Sequence, residues 1–470
     1  MMRKSSRRNK IIYALLIILV LAFIWMIWPL RPNVPGSSRT IGWRNTLLGN
    51  YAMTDIAIDA NSTNYILLHS YGLVDLNPEW GMEWSRYSDA ESFLCRLDSQ
   101  LSFRDALRTC GRMDGIYLIE SFRGSFYCMG FNGPTLANGY YAASLNNNRE
   151  YDWRVNLPEG IGLEFVLAID DEGNLYVMTA SSTEYSSLVV KISRSGELLW
   201  TKGITQEGWT DDYGLAVDSN GIVYAGLKTR YGSNSSVPQS PERQINSAEG
   251  LIICALDPEG NEIERKYILS SLGFVMTDGI ALAVDEDDSI YLASSFKDDV
   301  TFYSEDAVPE FNLDSSTGLS GFLAKWNSDF DFEWAGQWRG NGYVQPIKIL
   351  SNGSGIMYVC GKYTKNFEFV GNDDVIRLAT ETQDQNLFIL GIGIDGSLTG
   401  FWSGSSVGRW GYLRGSHHMA YEYKYRVSWD AEINGMGDIV YCANAWFGPY
   451  LAVIPKESII LEVPFGNDEI

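Results

Sequence analysis

The chain is poor in the side chains that most enzymes use for chemistry. Its 470 residues include three histidines, His69, His417 and His418, so histidine-based acid–base catalysis has few possible sites. Six cysteines occur, at 95, 110, 128, 254, 360 and 442, and none forms a CxxC pair, which leaves zinc-ribbon and dithiol redox motifs without support. No P-loop, G-x-S-x-G, HExxH or D-x-D-x-D-G loop is present. Past residue 30 no long Ala/Leu/Glu/Lys pattern of helical period appears. Basic residues are also scarce, 36 against 58 acidic, and seven of the 36 lie within residues 1–40, which hold no acid. The remainder is strongly acidic and should repel nucleic acid and anionic membrane surfaces. Neutral, cationic or divalent-bridged partners suit it better, and the same charge keeps a large β-protein soluble and blunts its strand edges.

What the chain does have is aromatic residues (13%), 46 glycines and 45% hydrophobic residues. That composition suits a folded core of many short strands joined by tight turns. The N-terminus is separate in character. A basic tail, "MMRKSSRRNK" (1–10), precedes "IIYALLIILVLAFIWMIW" (11–28), which carries no charge. At about 1.5 Å per residue this run reaches about 27 Å, close to a bilayer core. Trp25 and Trp28 stand at its far end, where amphipathic rings favour the interface. The reading is one transmembrane signal-anchor, with the tail cytoplasmic and the bulk of the chain extracytoplasmic at the cell membrane. The following "PLRPNVPGSS" offers no A-x-A-like cleavage site. Secretion after signal cleavage is the rival. Residues 29–40 then read as a Pro/Gly/Ser linker before a domain at 41–470.

Within 41–470 one hairpin recurs. "LAIDDEGNLYVMT" (167–179), "LAVDSNGIVYAGL" (215–227) and "LAVDEDDSIYLAS" (282–294) are its clearest copies. Looser ones are "IAIDANSTNYILL" (56–68), "IYLIESFRGSFYCMG" (116–130), "IKILSNGSGIMYVCG" (347–361) and "DAEINGMGDIVYCA" (430–443). Each has an apolar strand, a polar or glycine turn, and a second strand with Tyr65, Tyr127, Tyr176, Tyr224, Tyr291, Tyr358 or Tyr441. A second hairpin follows most copies, as in "SLVVKISRSGELLWTKGI" (187–204). Four strands per unit, repeated seven times, predict an all-β, seven-bladed propeller of four-stranded antiparallel blades, since stacked blades cover one another's faces. Either "IGWRNTLLGN" (41–50) or "SIILEVPFG" (458–466) would supply the outermost strand of the last blade.

"GLAVDSNGIVYAGL" followed by "LVVKISRSGELLWTKG" resembles the seven-bladed β-propeller (SBBP) repeat family. The stretches 302–335 and 367–402 are similar to that repeat's long excursion between hairpins. NHL-type and quinoprotein propellers have similar hairpins. The resemblance implies a bacterial source, and it implies a propeller whose activity must be sought outside the repeat.

Three sets of residues are candidates for function. Asp59, Asp170, Asp218 and Asp285 each end a first strand, where a carboxylate accepts backbone N–H groups two residues on, so they read as structural turn residues. "DEDD" (285–288) and "NDD" (372–374) resemble calcium ligands loosely; no cofactor is expected and no metal site is assigned. The insertion 405–428 breaks the repeat most. Arg409, Trp410, Tyr412, Arg414, His417, His418, Tyr421 and Tyr423 make it the candidate binding loop, and adjacent histidines on a strand point apart and so do not share a metal. Trp153, Trp200, Trp334 and Trp402 read as packing between blades. The function expected is a binding or scaffolding module for an envelope or extracellular protein or glycan, with no nucleic acid. The alternative is a propeller enzyme (lyase, hydrolase or quinoprotein-like) acting on a glycan or small molecule.

Overall fold

The structure, a computed structural model, describes residues 39–42 and 49–459 with interruptions between strands, the longest at 231–248 and 406–428. The basic tail, the segment 11–28 and all but the end of the linker therefore lie outside the described residues. So do 460–470.

The described strands form seven antiparallel sheets. Named a to d from the inside out, blade 1 is Gly49–Ile58, Asn64–Asp75, Trp84–Leu97 and Phe103–Arg108. Blade 2 is Asp114–Phe122, Ser125–Asn132, Tyr140–Leu145 and Tyr151–Asn156. Blade 3 is Ile161–Ile169, Leu175–Ser181, Ser186–Ile192 and Leu198–Thr205. Blade 4 starts with Tyr213–Val217, Val223–Arg230, Glu249–Leu256 and Glu262–Ser270. Blade 5 starts with Ala281–Val284, Ile290–Lys297, Leu319–Trp326 and Phe332–Gly340. Blade 6 is Val344–Ser351, Ile356–Tyr363, Asn386–Gly393 and Leu398–Ser405. Blade 7 has Trp429–Ile433, Ile439–Ala445 and Gly448–Ile454. Each a strand touches the a strands before and after it, and that of blade 7 touches that of blade 1, so the sheets close into a ring. This is a seven-bladed propeller. Every residue of Tyr140–Leu145 and Asn386–Gly393 is buried, as expected of strands covered on both faces by neighbouring blades.

Two blades depart from the four strands expected. The hairpin Val300–Tyr303/Pro309–Leu313 comes from blade 5 but pairs with strand d of blade 4, Tyr267 opposite Tyr303 and Ser270 opposite Val300. Phe367–Val370/Val375–Leu378 comes from blade 6 and pairs likewise with blade 5, Gln337 opposite Val370. Both sheets are thus six-stranded. An outer strand is an open edge, and a long excursion folding back meets the edge of the preceding blade first. Phe302 anchors the first hairpin, buried 5.4 Å from Phe322 and 5.4 Å from Phe332.

Between blades an aromatic ring repeatedly fills the seam. Trp153 of blade 2 lies over Gly196 in the c–d turn of blade 3, and its Nε1–H donates to the Arg194 carbonyl at 2.9 Å. Trp200 of blade 3 lies over Gly260 of blade 4 and donates to the Pro258 carbonyl at 2.9 Å. Both glycines have φ near +85°, a conformation that favours glycine, and a Cβ on either would sit within about 3.0 Å of the indole. Trp334 occupies the same register in blade 5, opposite Lys325 as Trp200 is opposite Lys191. Trp402 does not. Gly400, opposite Gly391, holds that register in blade 6, and Trp402 sits two residues further along, 5.9 Å from Tyr441 of blade 7.

The ring closes with the N-terminal strand. Arg39–Gly42 pairs with Gly448–Ile454, Arg39 opposite Val453 and Gly42 opposite Tyr450, and serves as strand d of blade 7. The C-terminal candidate for that slot, 458–466, lies outside the described residues beyond Ile459. In blades 1 to 6 the c–d turn is closed by a backbone N–H from its first residue (Asp98, Asn146, Ser193, Asp257, Asn327 or Gly393) to the carbonyl four residues on. Blade 7 has Pro455 there, which has no N–H to give. The chain instead makes a short 3-10 turn, Lys456–Ser458. Removing residues 39–42 should therefore open one edge only. Amide hydrogen exchange across 448–454 is expected to speed up by about tenfold or more, while 175–181 in blade 3 stays protected.

Candidate functional site

Asp59, Asp170, Asp218 and Asp285 each open an a–b turn. Asp59 Oδ1 accepts the N–H groups of Asn61 and Thr63, Asp218 Oδ1 those of Asn220 and Ile222, and Asp285 Oδ1 those of Asp287 and Ser289; Asp170 Oδ1 accepts that of Asn174. The second oxygen has a further role. Tyr176, Tyr224 and Tyr291, six residues on, donate their hydroxyls to Oδ2 of Asp170, Asp218 and Asp285 at 3.0, 3.3 and 3.0 Å. Burial, then the adjacent carboxylate, pushes all three phenols far up, so they remain donors. Within "DEDD", Asp285 is committed to its turn and Asp288 to Ser219 and Asn220 of blade 4. "NDD" (372–374) lies outside the described residues. Among the described residues no group of three or more His, Cys, Asp or Glu is placed to hold a metal ion.

The binding-loop residues Arg409, Trp410, Tyr412, Arg414, His417, His418, Tyr421 and Tyr423 lie outside the described residues. Their connection leaves strand d of blade 6 at Ser405 and enters strand a of blade 7 at Trp429. In an antiparallel blade the d-to-a and b-to-c connections emerge on one face and the a–b and c–d turns on the other. The ends of the long connections, Arg230/Glu249, Lys297/Leu319, Tyr363/Asn386 and Ser405/Trp429, thus lie on one face, while the described turns on the opposite face are of a few residues.

A charged cluster that the sequence reading missed joins three inner strands. Lys348 Nζ of blade 6 donates to Asp430 Oδ1 at 3.0 Å and Glu432 Oε1 at 2.5 Å, both on blade 7. Asp430 in turn hydrogen-bonds the Asp55 carboxyl of blade 1 and lies 3.4 Å from the Ile56 N–H. Water still reaches the cluster, since the Lys348, Asp430 and Glu432 side chains are 28%, 13% and 20% exposed. The signal is legible once the copies are aligned on the turn rather than on tyrosine. Four residues before the turn's first residue stand Val166, Gly214 and Ala281 in blades 3, 4 and 5, but Asp55, Lys348 and Asp430 in blades 1, 6 and 7. The same alignment puts Val440, opposite Glu432, in the tyrosine position of blade 7 and moves Tyr441 one place on.

The two blade 7 carboxyls are pushed apart. Burial works to raise Asp430, but the Lys348 charge and hydrogen bonds from Asp55, Lys348 and the Ala431 N–H hold it below the ordinary carboxylate value. Burial raises Glu432, Lys348 offsets only part of that, and Asp430 adds to it. Asp430 therefore stabilises the fold above the ordinary carboxylate pKa, a contribution lost as pH falls through its lowered value. Glu432 has the opposite sign, favouring the fold at low pH and losing that contribution as pH rises through its raised value. Replacing Lys348 by Met leaves two carboxylates facing each other without a counter-charge. Lys348→Met should cost about 2 kcal/mol at pH 7, a value reduced for the partial exposure. Urea denaturation at about pH 4, where carboxyls protonate, should show a smaller loss.

No family model matches the chain. An uncharacterized WD repeat-containing protein of Acanthamoeba polyphaga mimivirus is 25% identical over 143 residues, 27% of this chain and 10% of that protein. The chain thus spans about a tenth of the length of the curated relative it matches. Among solved structures, the WD40 domain of Toxoplasma gondii coronin is 9% identical with a TM-score of 0.41, over 92% of this chain and 90% of that one. The polysaccharide lyase Uly1 is 9% identical with a TM-score of 0.47, over 91% and 100%. The WD40 domain of Neurospora crassa Pan2 is 10% identical with a TM-score of 0.37, over 75% and 86%. At these values the likeness gives no guide to activity.

Proposed function

We propose that the chain is a membrane-anchored, extracytoplasmic propeller that binds or scaffolds a protein or glycan partner through its long-connection face. The observation that carries this reading is the difference between the two faces. Among the described residues, one face bears a–b and c–d turns of a few residues, most tied by their own backbone, and the other holds the strand ends between which the long connections run, Ser405 and Trp429 among them. Binding residues are concentrated on loops held by a rigid scaffold, and Trp410, Tyr412 and Arg409 are the residue types that dominate interface energetics. The uncharged run 11–28 after a basic tail supports the anchor, and the acidic body favours a neutral or cationic partner. A second reading, an enzyme acting on a glycan or small molecule, is favoured by the Lys348–Asp430–Glu432 cluster, whose two carboxyls differ in proton affinity as an acid–base pair requires.

Photo-crosslinking on the full chain in its membrane separates the faces. A benzoylphenylalanine at Tyr412 is expected to give partner adducts, and one at Glu259, in a c–d turn, none. Equal adducts from both positions overturn the face assignment. Under the enzymatic reading, Glu432→Gln abolishes turnover of an envelope glycan while Tyr412 adducts persist.

A further inference from the structure

The strand that closes the ring also has a direction. Arg39 lies opposite Val453 and Gly42 opposite Tyr450. Val453 stands just before Pro455, at the place of the c–d turn, whereas Gly448 begins strand c on the opposite face. The chain therefore enters strand d of blade 7 on the short-turn face. It leaves toward the long-connection face, where strand a of blade 1 begins at Gly49. Blades 1 to 6 also enter strand d on the short-turn face, each through its own c–d turn, but blade 7 enters it from residues 29–38.

We infer that the propeller is held with its short-turn face toward the bilayer and its long-connection face away from it. The partner it takes is then a protein or glycan approaching from beyond the membrane surface, and not the lipid. This rests on the reading of 11–28 as an anchor. Ten residues, 29–38, separate that run from Arg39, and they reach at most about 36 Å. Starting from the short-turn face, that length leads straight to the headgroups. To turn the other face to the bilayer, the same residues would first have to run back along the blade. Strand c of blade 7, seven residues, is about 23 Å long, so only about 13 Å of reach would remain. Proline at 29, 32 and 35 works against such a reversal. The charge of the short-turn face shows that the tether, and not adsorption, sets the pose. Glu172, Glu259, Glu286, Asp329, Asp395 and Glu457 stand exposed on its turns, against Arg194 and Lys456 among the described residues. Anionic headgroups repel such a surface.

Energy transfer in proteoliposomes tests this on the full chain, with the propeller outside and a rhodamine-labelled lipid in phosphatidylcholine as acceptor. A donor dye is attached through p-azidophenylalanine at Glu172 or Glu159, which flank strand a of blade 3 on the short-turn and long-connection sides. A second pair, Asp287 and Lys297, brackets strand b of blade 5 in the same way. All four side chains are exposed. Transfer from Glu172 and Asp287 is expected to exceed that from Glu159 and Lys297 by roughly twofold or more, because the faces are a strand length apart. Adding phosphatidylglycerol should lower transfer from Glu172 and Asp287; a rise would mean adsorption and would overturn the tethered pose. Alkaline carbonate extraction separates this inference from the reading it rests on. Release of the chain overturns the anchor and the orientation with it. Retention of the chain with equal or reversed transfer at either pair overturns the orientation alone.

Discussion

In blades 2 and 3 the indole of the outer strand rests on the glycine of the next blade's turn, and that contact spaces neighbouring blades. It fixes distance, because a side chain on Gly196 or Gly260 would collide with the ring. It also fixes direction, because the ring N–H must reach the turn carbonyl. Seven sheets each have two apolar faces, and those faces are covered only when all the seams have the same width. Between blades 4 and 5, where Glu264 holds the tryptophan register, Phe330 of the next blade's turn supplies the ring against Tyr224. Between blades 6 and 7 Gly400 holds that register, and Ile459 packs directly over it.

Ring closure draws on both ends of the described chain. Pro455 cannot close the turn that its counterparts close, and a short 3-10 turn stands there instead. The edge of Gly448–Ile454 stays open until Arg39–Gly42 arrives. The first and last described segments are thereby joined, and the charged bridge from Lys348 through Asp430 to Asp55 lies across the same two seams, 6–7 and 7–1. Ionic and backbone closure thus meet in blade 7, whose strands c and d come from opposite ends of the described chain.

What could be read from the sequence follows the range of the interactions. The turn carboxylates were legible because each acts within a few residues of itself. Aspartate six residues before tyrosine also recurs, yet the bond between Asp170 and Tyr176 was not evident, because "packing residue" and "hydrogen-bond donor" leave the same mark on a sequence. Strand count per blade was legible for blades whose connections are short. It failed for blades 4 and 5, whose added strands come from a neighbour, since edge pairing has no local signature. Lys348, Asp430 and Asp55 were hidden by the choice of alignment point. Tyrosine is a poor ruler in blade 7, where Val440 takes its place. The insertion 405–428 stood out in the sequence for breaking the repeat; beyond Ser405 it lies outside the described residues, and only its flanking strand ends, Ser405 and Trp429, are placed by the antiparallel order.

The two donated hairpins impose an order in time. Blade 4 gains its outer pair of strands only when Val300–Leu313 of blade 5 has been synthesised, and blade 5 waits in the same way for Phe367–Leu378 of blade 6. A nascent chain halted after residue 270 would hold four strands of blade 4 with their outer edge unpaired. Each of these blades is completed by its successor, so a ribosome emitting this chain releases a growing arc whose last blade always has an open edge. Chaperones that bind open edges would find their target there, moving along the chain with translation and vanishing when the circle closes.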